Sequence, residues 1–146
     1  LDQITDVRNF GAVARTCECA GLDALIIEEK GNAPITSDAV KTSAGALHHI
    51  PVCRVKSLKQ TILDLQQNGI QVVACTEKAA DPLYKIDLSG PTALLLGSEE
   101  DGIAPPLLKV SDALARIPMV GKIESLNISV AAGIAIYETV RQKHYK

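Results

Sequence analysis

A chain of 146 residues fits one domain, and folding one of this size buries about two thirds of the unfolded surface, enough for a core without disulfide staples. Hydrophobic residues make up 47% of it, but with one Phe, three Tyr and no Trp the core has to come from Ala, Val, Leu and Ile, which suits helices packed on a buried parallel sheet. The formal net charge of −2 argues against a nucleic-acid partner unless a local basic patch supplies the attraction.

In chain order, "LDQITD" reads as the tail of a strand whose earlier residues are absent, so the expectation is a fragment with an upstream portion removed. Residues 9 to 20 read as a helix, because Phe10, Val13, Ala14 and Cys17 recur at helical spacing and Gly21 supplies a stop. "ALIIE" is a strand, 37 to 42 a short helix, and "IPVCRV" a second strand. Ser57 caps the next helix with Gln60 three residues on, and Gly69 ends it before the strand "IQVVAC". A Pro- and Asp-containing loop over 78–91 leads to "TALLLG", the most apolar short run of the chain. A last apolar strand is expected at "IPMV", then a charged turn, then a helix from about Leu126 to Gln142. Short apolar strands alternating with helices, without repeats or low-complexity segments, give an α/β domain with a mainly parallel sheet over 1–146.

Cys17, Cys19, Cys53 and Cys75 lack the paired spacing of a zinc ribbon or redox motif, and Cys17 and Cys19 point to different helix faces. Reduced, mostly buried thiols and no metal are expected. The adjacent His48 and His49 read as structural or surface residues. No apolar run is long enough to cross a bilayer as a helix and no secretory signal is recognisable, so the expected location is cytoplasmic, with no membrane contact.

Three segments carry more polarity than a turn needs. In "DVRNFGAVAR" Asn9 stands where strand gives way to helix and Arg15 follows about one and two thirds turns on, so both can address one site; alternatively Asn9 is a helix cap and Arg15 a solvated charge. "LLLGSEEDGI" ends an apolar strand in Gly97, where the backbone can approach a ligand, followed by Glu99, Glu100 and Asp101; a solvated acidic turn is the plainer alternative. "IPMVGKIESLNISVAAGIAIYE" opens its helix with Ser125, Asn127 and Ser129, where one polar cap would suffice and where free N–H groups can also meet a ligand. Loops that follow strands of a parallel sheet gather at one end of it. The phosphate-loop, nucleophile-elbow and dinucleotide fingerprints are all missing.

In order and spacing, "NFGAVAR", "LLLGSEEDGI" and "IPMVGKIESLNISVAAGI" resemble the three motifs of the SpoU/TrmH branch of the SPOUT RNA 2′-O-ribose methyltransferases, and the likeness spans almost the whole chain. The intervening "KTSAGALHHIPVCRV" is similar to the subgroup acting on a guanosine of 23S ribosomal RNA. The resemblance implies an α/β domain with a deep C-terminal trefoil knot, an exception to the rule of unknotted connections. It implies S-adenosylmethionine as cofactor, without metal, held at Gly97, Ile117, Met119, Leu126 and Asn127. Carried over residue by residue, the active-site positions are Asn9, Arg15, Glu99, Ser125 and Asn127, with Arg15 reaching the cofactor of a second subunit. Glu100 departs from the Gly common after the motif glutamate. A guanidinium is a poor base at neutral pH, so Arg15 either loses its proton in a perturbed site or binds the adjoining phosphate and polarises the hydroxyl.

The expected partners are RNA, ribosomal RNA first and transfer RNA second, and a second copy of the chain. The homodimer would form through the final helix and the helix from Asn9, whose apolar faces exceed what one small sheet covers. A non-catalytic RNA-binding or ribosome-assembly module is the alternative from a different class.

Overall fold

The computed structural model describes residues 1–145. Helix α1 spans Val7–Cys19 and begins two residues before the expected start, because Asp6 is its cap: the Asp6 carboxylate accepts from Asn9 N at 2.9 Å. Asn9 therefore lies inside the first turn. Gly21, at φ 70°, ends the helix where a side chain would be strained.

Five parallel strands follow in two sheets. Strand β1 (Leu25–Glu28) pairs with β2 (Val52–Val55), and β3 (Gln71–Cys75) stands between β4 (Thr92–Leu95) and β5 (Ala113–Ala115). Leu1 and Asp2 bridge the two: Leu1 N donates to Ile26 O at 2.7 Å, and Asp2 N donates to Leu96 O at 2.8 Å. Parallel strands covered by helices need apolar residues on both faces, and Val72, Val73 and Ala74 are all buried.

Helix α2 is Ser37–Thr42, as expected, and α3 is Leu58–Gln67. Ser57 Oγ accepts from Gln60 N at 3.2 Å, but the Gln60 side chain turns to Asp64, so only half of the reciprocal cap forms. Glu28 adds a second cap by accepting from Leu58 N at 2.8 Å.

Two elements depart from the sequence reading. Pro105 and Pro106 open a helix, α4 (Pro105–Val110), since Pro at the first helical position gives up an N–H that has no partner there anyway. The last strand is Ala113–Ala115 and not "IPMV". Asp112 fixes its entry by accepting from Val72 N at 2.7 Å, whereas Pro118 has no N–H for a ladder and Val120 is fully exposed.

Helix α5 (Ile128–His144) starts after Asn127 and packs across α1. Phe10, Val13, Ala14 and Cys17 meet Ile128, Ala132 and Ile136 in the largest core cluster. Helix α2 closes on α1 so tightly that a Cβ on Gly11 would lie 2.7 Å from Ala39 O. The apolar face of α1 is thus consumed within the chain, and what α1 exposes includes Arg8, Arg15, Glu18 and Cys19. Only α5 keeps part of the expected surplus, at Val130 and Tyr137.

All four thiols are free, but only Cys17 is buried and Cys75 half-buried; Cys19 and Cys53 are exposed. One position past Cys17, α1 turns to solvent, and β2 exposes both Cys53 and Arg54. Burial pushes the Cys17 thiol up to about 11 and the Cys75 thiol up to about 12. His48 and His49 are exposed, and no helix is long and apolar enough to cross a membrane among the described residues.

Candidate functional site

Beyond β4 the chain runs through Leu96 and Gly97 into a tight reversal. Gly102 N donates to Ser98 O at 2.9 Å and Asp101 N to Ser98 Oγ at 3.1 Å, with Gly102 at φ 66°. A Cβ on Gly97 would lie 2.2 Å from Gly102 C and 2.4 Å from Ile103 N. Glycine is required at 97 because the loop closes on itself, and the same residue lines the first cleft described below. The far side of the loop is fastened by Asp2 Oδ2, which accepts from Ala104 N at 2.8 Å.

Closure of this loop directs Glu99 at the start of α5. Its Oε1 accepts from Ile128 N at 2.9 Å and from Asn127 Nδ2 at 2.8 Å. Asn127 Nδ2 also donates to Asn9 Oδ1 at 3.1 Å, while Asn127 Oδ1 accepts from Ser129 N at 3.0 Å and from Ser129 Oγ. Both ends of the Asn127 amide are engaged, so its orientation is fixed by the network. Helix α1, the loop after β4 and the start of α5 meet in these four side chains, and Glu99 and Asn127 remain exposed.

Two clefts flank the network. The first, about 320 Å³, has apolar walls from Leu96, Ile103, Ile117, Leu126 and Ile128, and a rim that includes Glu99, Glu100, Asp101 and Glu124. Its size and lining suit a small molecule with an apolar body and a positive charge. The second, about 550 Å³, is lined by Thr5, Asp6 and Asn9 and shares Ser98 to Asp101 and Ile128 with the first.

Of the residues singled out from sequence, Asn9, Glu99 and Asn127 are joined in one network. Gly97, Ile117, Met119, Leu126 and Ser125 line the first cleft; Asn127 does not line it and acts at its edge through Glu99 and Ile128. Arg15 is exposed on α1 and lines neither cleft. Among the described residues it makes no ion pair. The sequence reading missed the wall formed by Cys75 to Lys78, which follows β3. The signal was available: it too leaves the C-terminal end of a parallel strand.

The sequence pattern of the SpoU rRNA Methylase family matches residues 1–137. The chain belongs to that family. Relatives named 23S rRNA (guanosine-2′-O-)-methyltransferase RlmB are 40% identical over 143 residues in Pseudomonas aeruginosa and 42% identical over 144 residues in Haemophilus influenzae. Each alignment takes in 98% of this chain and 58% of the relative, so the chain spans a little over half the length of these proteins. Among solved structures, the A. aeolicus TrmH/SpoU tRNA modifying enzyme superposes with a TM-score of 0.88 at 32% identity, covering 97% of this chain and 72% of that one. The SpoU methyltransferase AviRb of Streptomyces viridochromogenes, in complex with the cofactor AdoMet, gives 0.89 at 29% identity over 97% of this chain and 58% of its own. The α/β fold with parallel strands is that of the SpoU methyltransferases.

Proposed function

We propose that this chain is the catalytic domain of an S-adenosylmethionine-dependent RNA methyltransferase that modifies a ribose 2′-OH, in the first instance of a guanosine in 23S ribosomal RNA. The observation that carries the proposal is the Asn9–Asn127–Glu99 network standing between two clefts that share a wall. One cleft is for a methyl donor and the other for a methyl acceptor. Family membership and the names of the relatives support the reaction class.

The first cleft fits S-adenosylmethionine. Its apolar walls suit the adenosyl group, and the carboxylates at its rim suit a sulfonium cation. When bound, that group supplies an electrophilic methyl with a good leaving group. Gly97, Ile117, Met119 and Leu126 would hold it, with Asn127 fixing the wall on which Leu126 sits. The chain's own residues do the positioning: Glu99 orients Asn127 and the first turn of α5, and Asn127 in turn holds Asn9, whose amide lines the second cleft for the ribose. Ser125 extends that ribose contact from the first cleft. No group in this scheme needs a metal ion.

Arg15 stands apart from both clefts, which favours its acting on the site of a second subunit. A homodimer through α5 is the corresponding assembly, and Val130 and Tyr137 offer it exposed apolar surface. There Arg15 would bind the phosphate beside the acceptor and polarise the 2′-OH, a role that suits an always-charged guanidinium. The remaining features of the proposal are a trefoil knot at the C-terminal end, a cytoplasmic location, and an upstream RNA-binding portion in the whole protein.

Incubating the protein with S-adenosylmethionine carrying a labelled methyl group and with total RNA, then separating ribosomal from transfer RNA, tests the function. Label is expected in ribosomal RNA, on ribose, in the presence of a chelator. Label in transfer RNA would move the assignment to the substrate class in the A. aeolicus enzyme's description. Absence of transfer by a protein that binds the cofactor would leave a non-catalytic RNA-binding module.

A further inference from the structure

A third cleft adjoins the other two. The second and third meet at Asp6, and the third is lined by Asp6, Val7, Arg8, Asp38, Lys41 and Thr42. Its two cations come from different helices, α1 and α2, brought together by the close packing that Gly11 permits against Ala39. Arg8 and Lys41 are exposed, and among the described residues neither makes an ion pair.

The charges in this cleft are not equivalent. Asp6 is committed to capping α1 through Asn9 N, and Asp38 lies in the first turn of α2, so each carboxylate faces the positive end of a helix dipole. Lys41, in the last turn of α2, is also well placed with respect to its helix. Arg8 is the exception: it is a cation in the first turn of α1, against the dipole. It is exposed and has no ion pair among the described residues to offset that cost. A side chain that opposes local stability without a structural return points to a ligand.

We propose that Arg8 and Lys41 bind a backbone phosphate of the RNA strand, next to the nucleotide whose ribose enters the second cleft. The inference rests on the methyltransferase reading above. The rims of the first two clefts carry Asp6, Glu99, Glu100 and Asp101, and the chain has a net charge of −2. The third cleft sets Arg8 and Lys41 against Asp6 and Asp38, and since both carboxylates face helix N-termini the two cations are left to meet a phosphate there. Arg8 offers a planar fork of donors and Lys41 a point charge, a pair that positions a phosphodiester without reading sequence.

The test uses Arg8→Gln, Lys41→Gln and the double variant, with Lys109→Gln on α4 as a control for net charge. RNA affinity is measured by fluorescence anisotropy with a labelled ribosomal RNA fragment over a range of salt. S-adenosylmethionine affinity and the thermal midpoint are measured in parallel. Each single change is expected to weaken RNA binding roughly fivefold, and the double change to lower the slope of log K against log salt by about 1. Cofactor affinity should stay constant, and Arg8→Gln should not lower the midpoint, which separates a phosphate contact from structural damage. Wild-type RNA affinity and salt slope in the double variant would overturn the assignment and leave the cleft to an acidic protein partner. An equal loss in Lys109→Gln would overturn it too, by showing that net charge alone matters. Failure of the wild type to transfer methyl groups would sink the functional reading, while the RNA affinities of the variants would still decide the phosphate site.

Discussion

At the start of α5, Glu99 accepts from Asn127 Nδ2 and Ile128 N; at its other end, Glu138 accepts from Arg141 and Gln142. Each end has one carboxylate and at least one side-chain amide, yet they differ in closure. Glu138 is only 8% exposed, receives both Arg141 Nε and Nη2 at 2.9 Å, and shares Gln142 with the backbone of the loop before β4. Gln142 Nε2 donates to Ile86 O at 3.0 Å and its Oε1 accepts from Leu88 N at 2.7 Å. That network satisfies itself. At the other end Asn127 with Ser129 already makes the helix cap, so Asn9 and Glu99 are additions drawn from distant segments and left open to solvent beside two clefts. Polarity beyond what a cap requires, held in fixed orientation and accessible, is what separates a working site from a fastening.

Substitutions at the open end break the comparison most sharply. Arg15→Ala is expected to abolish methyl transfer while leaving cofactor affinity and stability nearly unchanged, because Arg15 lines neither cleft and holds no ionic partner among the described residues. Asn127→Ala should lower turnover by about 100-fold or more and weaken the cofactor as well, since it releases Glu99 and Asn9 together. It should also cost about 1 kcal/mol in stability through the lost cap. Single-turnover kinetics, calorimetry and urea unfolding on both variants check this. Normal turnover by Arg15→Ala would remove it from the catalytic set.

The closed end should show the opposite signature. Gln142→Ala leaves N of the buried Leu88 and O of the half-buried Ile86 without their side-chain partner, at a cost of about 1–3 kcal/mol. Urea unfolding should record that loss with methyl transfer per folded molecule unchanged. A fall in turnover at constant stability would show that the two ends of α5 are not separable.

The same contrast explains what was legible in the sequence. Strands β1 to β4 could be read because buried parallel strands are short apolar runs between Gly and polar breaks, as in "IQVVAC" before Thr76. Helix α4 could not, since Pro105–Pro106 reads as a breaker unless the helix is known to begin there, and three-residue β5 has no period to detect. For the site, the segments were legible and the partnerships were not. That Asn127 bonds Asn9 across 118 positions depends on α5 crossing α1, and that Glu99 turns inward while Glu100 does not depends on the Ser98–Gly102 closure. The surplus apolar face expected on α1 was an error of the same kind: periodicity reveals the face, while only packing shows that α2 and α5 cover it.

The smallest expected effect is a pH dependence confined to the closed end. The hydrogen bond from Arg141 holds the Glu138 carboxyl below the usual carboxylate range, outweighing the opposing effect of burial, and Gln142 adds to it. A lowered folded-state value means that the folded chain binds fewer protons than the unfolded one. The stabilisation is therefore fully present above the unfolded carboxylate value of about 4.3 and is lost as the pH falls through the folded value. Because the Arg141 side chain is 55% exposed, solvent and salt screen part of the interaction. Urea unfolding of the wild type and Glu138→Gln between neutral and acid pH should show the wild type losing more stability on acidification, with the two curves approaching each other at the acid end and added salt narrowing their gap. Parallel curves would mean that the charge on Glu138 contributes nothing, and that Gln142 alone fastens α5 to the loop before β4.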